Sequence, residues 1–273
     1  MSQCPINLLS VPDPDIHILS KLDDLNNFIL PVSCKSNILI FHVNIRSIRA
    51  NFDNFEAFIS THLDNISVII LSEIWIFDNE TCFYSFDGFD SFFCCRNDNR
   101  SGGIAVFTRS NLNFSNLDIT FISAEVLILH CKGLNLTLFS IYRSHDFTID
   151  YFNSELKNVL SLLKLPNIIL MGDINVNILN SDSNIMEYLN ILSQFGFFSH
   201  LNQPTRSVLS SSTCIDHVFV KTNKFAIQTA IFLTDLSDHF PTICKINFPV
   251  TPKLAPKTDY TLKLNYSFFM ITL

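Results

Sequence analysis

Nowhere does the sequence stay apolar for the roughly 18–20 residues that a membrane-spanning helix needs, so no such helix is expected. The first residues, MSQCPINLLSVPDPDIH, lack both a basic start and a continuous apolar core, and no signal peptide is expected. The 8 cysteines, at 4, 34, 82, 94, 95, 131, 214 and 244, include no CxxC pair. That spacing suits neither a zinc site nor a disulfide framework. They are expected to be reduced and mostly buried, as in an intracellular protein. Charge is scarce as well, at 16% of residues, which rules out a disordered acidic chain. There is no internal repeat. Basic charge is in deficit: the formal net charge is −7. A passive nucleic-acid binder draws its affinity from a basic surface, so that class is disfavoured. A metal-dependent nuclease is not, because its site is acidic by necessity.

What is present is apolar: 48% of the 273 residues, with 27 phenylalanines, enough for one sizeable core. The chain is organised around Asn167–Asn175, NIILMGDIN. Four unbroken apolar residues read as a strand buried on both faces. The strand is expected to stop at Gly172, which lets the backbone turn, and to present Asp173 and Asn175 beyond its end. An isolated pair of this kind is most often an Asx-turn; further polar clusters, Ser237-Asp238-His239 among them, point to a site.

Residues 1–36 carry Pro12, Pro14 and Pro31 without sustained periodicity and read as an irregular leader. Residues 37–43 and 67–71 read as buried strands, with an amphipathic helix over 51–63 between them, which is the βαβ pattern. Residues 102–108, 124–130 and 134–142 read as strands of an antiparallel region. Helices are expected over 148–163 and 183–195, and strands over 213–220, 225–233 and 240–248. Residues 37–248 form the expected domain, and 249–273, with Pro249, Pro252 and Pro256, a tail or spacer. Near these strand ends stand Asn44, Glu73, Tyr142, Asp173 with Asn175, Asp216, and Asp238 with His239. A glutamate with another carboxylate nearby suits one hard divalent cation. An aspartate can handle a water, and a histidine backed by a carboxylate can donate to a phosphate gaining charge. His42, His130 and His217 read as satisfied core or surface histidines. Arg96, Arg100, Arg109, Lys132, Arg143 and Arg206 fall in or near expected loops and could form a local basic rim.

The order HVN (42–44), LSE (71–73), IYR (141–143), GDIN (172–175), IDHVFV (215–220) and SDH (237–239) resembles the endonuclease/exonuclease/phosphatase superfamily. Within it, NIRSIRANFD, LSEIWI, GGIAVFTR, IYRS and QPTRSVLSSSTCIDHVFV before SDHFP look most like the endonuclease domain of non-LTR (LINE-type) retrotransposons. The resemblance implies an α/β (α+β) fold: a four-layer α/β sandwich of two packed mixed β-sheets flanked by helices. It implies a metal-dependent endonuclease nicking DNA for target-primed reverse transcription, with Mg²⁺ as cofactor and Mn²⁺ as a substitute. DNA is the expected partner, together with a reverse transcriptase domain in the full-length element, in the nucleus and without a membrane. By the same carry-over Glu73 binds the metal with Asp238 beside it. Asp173 handles the water, and Asn44, Asn175 and Tyr142 position phosphate. His239 contacts the scissile phosphate and Asp216 orients it. Thr205 is expected near the DNA, with Arg206 and Arg143. Arg46 stands where repair apurinic endonucleases carry an aspartate near the metal, which counts against a repair function. The tail resembles the start of a spacer towards a reverse transcriptase, and the chain is expected to be a fragment or a decayed copy.

Overall fold

A computed structural model describes residues 14–29, 37–208 and 211–248. Strand β1 (Ile16–Leu19) and helix α1 (Leu22–Ile29) precede β2 (Asn37–Asn44), α2 (Ile48–Ile59) and β3 (Val68–Ser72). Next come β4 (Phe89–Cys94), β5 (Ile104–Arg109), β6 (Ser115–Asn116), β7 (Glu125–Cys131) and β8 (Leu136–Tyr142). Helix α3 (Ile149–Leu162) leads to β9 (Ile168–Asp173), and α4 (Ser183–Gln194) to β10 (Phe198–Ser199). An antiparallel pair, β11 (Arg206–Val208) and β12 (Ser211–Thr213), is followed by β13 (Asp216–Lys221), β14 (Ala226–Phe232) and β15 (Thr242–Asn247).

The long strands assemble into two mixed sheets. One has seven strands in the order β1-β14-β15-β2-β3-β5-β4, and the other six in the order β10-β13-β9-β8-β7-β6. Strand alternation with both faces covered explains the unbroken apolar runs of β3 (Val68–Leu71) and β9 (Ile168–Met171). In β2, Ile38 and Ile40 point between the sheets, while Leu39, Phe41 and Val43 point outwards to α1 and α2. In β9, Ile169 and Met171 point between the sheets, while Ile168 and Leu170 meet α3 and α4. Three apolar layers therefore separate four layers of structure, the sandwich expected. Side-chain caps start two of the helices: the Thr148 hydroxyl accepts from Tyr151 N, and the Asp182 carboxylate from the Asn184 and Ile185 amides.

Three expectations need correction. The leader is not irregular where it is described: β1 pairs in parallel with β14, and Leu25, Phe28 and Ile29 of α1 are buried. A strand of four residues is too short to give a sequence-level period, and the Leu25, Phe28, Ile29 spacing of the helix occupies only its last turns. The remainder of the leader and the tail 249–273 lie outside the described residues. Strand β9 also does not stop at Gly172 but runs through Asp173. Gly172 is required for a different reason: a Cβ there would collide with the carbonyl of Ile141, its partner on β8. The left-handed turn falls at Asn175, φ 53°. Finally, the helix expected over 51–63 spans Ile48–Ile59 instead.

Candidate active site

The alternation that builds the inner core also builds the site. On β8 and β9 the residues facing between the sheets end in Tyr142 and Asp173; on β13 they begin with Asp216. Strand pairing sets these three side by side, Tyr142 against Asp173 and Asp173 against Asp216. On the facing sheet β2 ends in Asn44, paired with Ser72 of β3, and Glu73 follows immediately. Glu73 and Asn175 are non-glycine residues in left-handed backbone, at φ 56° and 53°. Such residues cost of order 1–3 kcal/mol each and collect where the fold over-determines a functional geometry.

Asn44 is fully buried and ties the two sheets together: its Nδ2 donates to Glu73 Oε1 and to Asp173 Oδ2, each at 2.8 Å. Asp173 Oδ1 accepts from the Asn175 amide at 3.0 Å, so the acid is held from both sides. On the other flank His239 Nδ1 donates to Asp216 Oδ2 at 2.9 Å, leaving Nε2 as the ring nitrogen available to a substrate. The same Asp216 oxygen accepts from the Thr205 hydroxyl at 2.7 Å, and Thr205 Oγ1 accepts in turn from the Asp216 amide. His239 Nδ1 is 3.9 Å from Asp173 Oδ2, so the two halves of the site adjoin.

Burial and charge set the protonation states. Burial raises Asp173, to about 7, helped by the negative charge of Asp216 and opposed by His239 and the Asn44 amide. Burial also pushes Asp216 up, but the charge and hydrogen bond of His239 outweigh it and hold Asp216 below its usual range. Burial would lower His239; Asp216 above all, then Asp173 and Asp238, raise it to about 9. The Tyr142 phenol, raised by burial and by Glu73 and Asp173, stays protonated and remains a donor.

Asp238 is half-buried at the rim, where Arg46 meets its Oδ1 at 3.0 Å and Arg206 its Oδ2 at 2.6 Å. Arg206, expected to contact DNA, lies beside the site with its side chain about a third exposed. Two other expected DNA contacts are not so placed. Thr205 is 0% exposed and spends its hydroxyl on Asp216, so it cannot reach DNA. Arg143 is 5% exposed and turns its guanidinium inwards to backbone carbonyls. The broader basic rim dissolves too. Arg96 is paired with Glu125 and Asp146, and Arg100 shares Glu80 with Arg49. Arg109 ends β5 beside the start of β3, and Lys132 follows β7, both at the opposite end of the sandwich from the site. The Asn44 amide, expected to position phosphate, is committed to the two acids instead.

His42, His130 and His217 are satisfied as expected. His42 bonds to Ser72 Oγ and Thr242 Oγ1, His130 to Thr137 Oγ1, and His217 to the Tyr188 hydroxyl and the Val176 carbonyl. His42 has a position the sequence did not disclose: it underlies the site, 4.0 Å from Asp216 Oδ1, and burial keeps it neutral with a pKa of about 4. Arg46 was noted only as a departure from a motif. No sequence signal marked Thr205 as the support of Asp216, because that contact depends on the segment before β11 folding against the start of β13.

The donor chemistry fits a hard divalent cation. Glu73 is half-buried, offers oxygen, and has only Oε1 engaged by Asn44. Asp173, Asp216 and His239 also place ligand atoms within 4.8 Å of one another, but they are buried and the last two already bind each other. Asp238 has both oxygens in guanidinium contacts.

A two-sheet sandwich that gathers carboxylates, carboxamides, a phenol and a carboxylate-backed imidazole on one rim defines a phosphoesterase architecture. Residues 41–239 match the endonuclease/exonuclease/phosphatase family, and the chain belongs to it. This is a family of metal-dependent hydrolytic phosphodiesterases. Among solved structures the chain is similar to the endonuclease domain of TRAS1, a telomere-specific non-LTR retrotransposon, at 17% identity and TM-score 0.60, covering 78% of this chain and 99% of that one. It is similar to an AP endonuclease from Archaeoglobus fulgidus at 13% identity and TM-score 0.59, covering 78% and 100%. It is also similar to the AP endonuclease LMAP from Leishmania major at 11% identity and TM-score 0.62, covering 85% and 96%. A comparison with curated proteins finds no match. At such identities the structural likeness is one of fold.

Proposed function

We propose that the chain is a Mg²⁺-dependent DNA endonuclease that nicks a phosphodiester bond, and that it does so to prime reverse transcription of a non-LTR retrotransposon. The observation that carries this reading is Asn44 joining Glu73 to Asp173 directly beside the Asp216–His239 pair. Glu73 would hold the cation, Mg²⁺ or Mn²⁺, which when bound polarises a phosphoryl oxygen and neutralises the leaving oxygen. Asp173, with a pKa near neutrality, orients a water and takes its proton. The imidazolium of His239 donates through Nε2 to the phosphate as charge develops, with Asp216 fixing the ring and Thr205 fixing Asp216. Tyr142 and Asn175 supply neutral donors that orient the phosphate without repelling it, and Arg206 at the rim meets the DNA strand. In the full-length element, and in the nucleus, a reverse transcriptase domain would extend the nicked end.

The retrotransposon assignment is supported by the wording of the motifs and by the likeness to the TRAS1 domain. A repair apurinic endonuclease, or another phosphodiesterase of the family, is the alternative; Arg46 paired with Asp238 speaks against it. A relic that binds nucleic acid without cutting it is the second alternative. The test is nicking of supercoiled plasmid. Activity is expected with Mg²⁺ or Mn²⁺ and none with EDTA, and Glu73→Ala should abolish it while leaving the circular dichroism spectrum unchanged. Nicking that survives chelation would sink the assignment, and a folded wild-type protein that never nicks would favour the relic.

A further inference from the structure

Arg143 is a charged side chain with no carboxylate partner in a position where charge is costly. It directly follows Tyr142, and its backbone is woven into the site: its N–H donates to Asp173 O at 2.9 Å, and its carbonyl accepts from Asn175 Nδ2 at 2.8 Å. The guanidinium passes behind the turn. One nitrogen donates to the Ile174 carbonyl at 3.3 Å, another to the Phe147 carbonyl at 2.9 Å, and the group lies 5.4 Å from the centre of the Phe152 ring. Its Nε is buried without a partner, and no acidic group of the described residues pairs with it. Burying an ion without a counter-ion costs several kcal/mol. A plain core position would hold an apolar residue, and a phosphate contact would leave the head exposed.

We propose that Arg143 is a positioning residue for the reaction: its planar fork locks the left-handed turn Asp173-Ile174-Asn175 to the 144–147 loop and so fixes the spacing of the carboxylate and the carboxamide. This rests on the reading of Asp173 and Asn175 as reacting-site groups. Two carbonyls have to be held, Ile174 of the turn and Phe147 of the loop, and they belong to different segments. A guanidinium spans both with rigid geometry; an ammonium is a point donor that serves one direction at a time. Loosening the turn moves a reacting group by a fraction of its contact distance, and a displacement of about 1 Å can cost on the order of 10² in rate.

The experiment compares Arg143→Met and Arg143→Lys with wild type at a temperature where each variant is folded. It reads kcat and KM for plasmid nicking, and the salt dependence of binding to a labelled duplex in EDTA. For Arg143→Met a loss of on the order of 10² in kcat is expected, with KM within about twofold, because no DNA contact disappears. For Arg143→Lys partial recovery of kcat is expected, again at unchanged KM. The slope of log affinity against log salt should be unaltered in both; an arginine on a phosphate would lower it by about one. A reduced slope with kcat intact would overturn the proposal in favour of a DNA contact, and so would wild-type kcat in both variants. If Arg143→Met does not fold, Arg143→Lys decides alone: lower kcat at constant KM supports the proposal, and unchanged kcat overturns it. Asp173→Asn serves as the control for the underlying reading. If it nicks normally, that reading and this proposal fall together; if it is inactive while the Arg143 variants are not, only this proposal falls.

Discussion

Asp216 shows how one side chain can be set by four neighbours. It takes His239 Nδ1 and the Thr205 hydroxyl as donors, has His42 beneath it at 4.0 Å, and lies in register with Asp173. The charge it keeps raises the His239 ring to about 9. The sign follows: an imidazolium donor is present below that pKa and is lost as pH rises through it, so in the proposed reaction the alkaline limb of the rate profile is expected to report His239. Asp216→Asn removes the charge that raises the ring. It should leave the fold intact, lower the rate and move the alkaline limb to lower pH. His239→Ala should cost on the order of 10²–10³, the usual loss for such a donor. Because the two act as a unit, the double variant should be scarcely slower than His239→Ala. The check is the pH–rate profile of the three variants; wild-type rate and pH dependence in Asp216→Asn would show that the pairing does not matter to the reaction.

Among the elements, β9 and its neighbours were the most legible, because a strand buried on both faces has no polar break and so announces its own burial. Its inner-facing parity then predicts that Asp173, two residues after Met171, faces the same gap. The segment β1–α1 was the least legible. Pairing with β14, more than two hundred residues later, stabilises the strand, and contact with the outer face of the larger sheet stabilises the helix. Leu25, 0% exposed, tests whether this segment belongs to the domain. Leu25→Ala should destabilise by about 2–5 kcal/mol, as for a buried leucine truncated to alanine. Denaturant unfolding measures this; a change below about 0.5 kcal/mol, typical of an exposed site, would return the segment to the status of a leader.

At the scale of the whole molecule, the proposed DNA substrate would meet a chain of net charge −7. Arg46 and Arg206 face each other across Asp238 at the mouth of the site, two guanidiniums sharing one carboxylate. With Arg46 there, selective recognition of an abasic site is not expected. Nicking at an abasic site should stay within about tenfold of nicking in intact duplex, about 1.4 kcal/mol of transition-state discrimination. Matched oligonucleotides with and without one abasic residue measure the ratio, and a strong preference for the abasic strand would move the function to the repair alternative.

The sequence by itself determined that two-sided buried strands alternate with amphipathic helices, and that the polar residues closing those strands come in the order of a phosphoesterase. Both are local properties: periodicity is written in neighbouring side chains, and the order of motifs is linear. Only the tertiary structure decided which of those residues touch. It placed Asn44 between two acids from different sheets, Thr205 behind Asp216 rather than on DNA, Arg143 inside rather than at the rim, and Arg109 and Lys132 at the wrong end. These outcomes depend on register and packing between strands far apart in the chain. A side chain's own sequence says whether it can carry charge, and the partners brought to it by the fold decide where that charge is used.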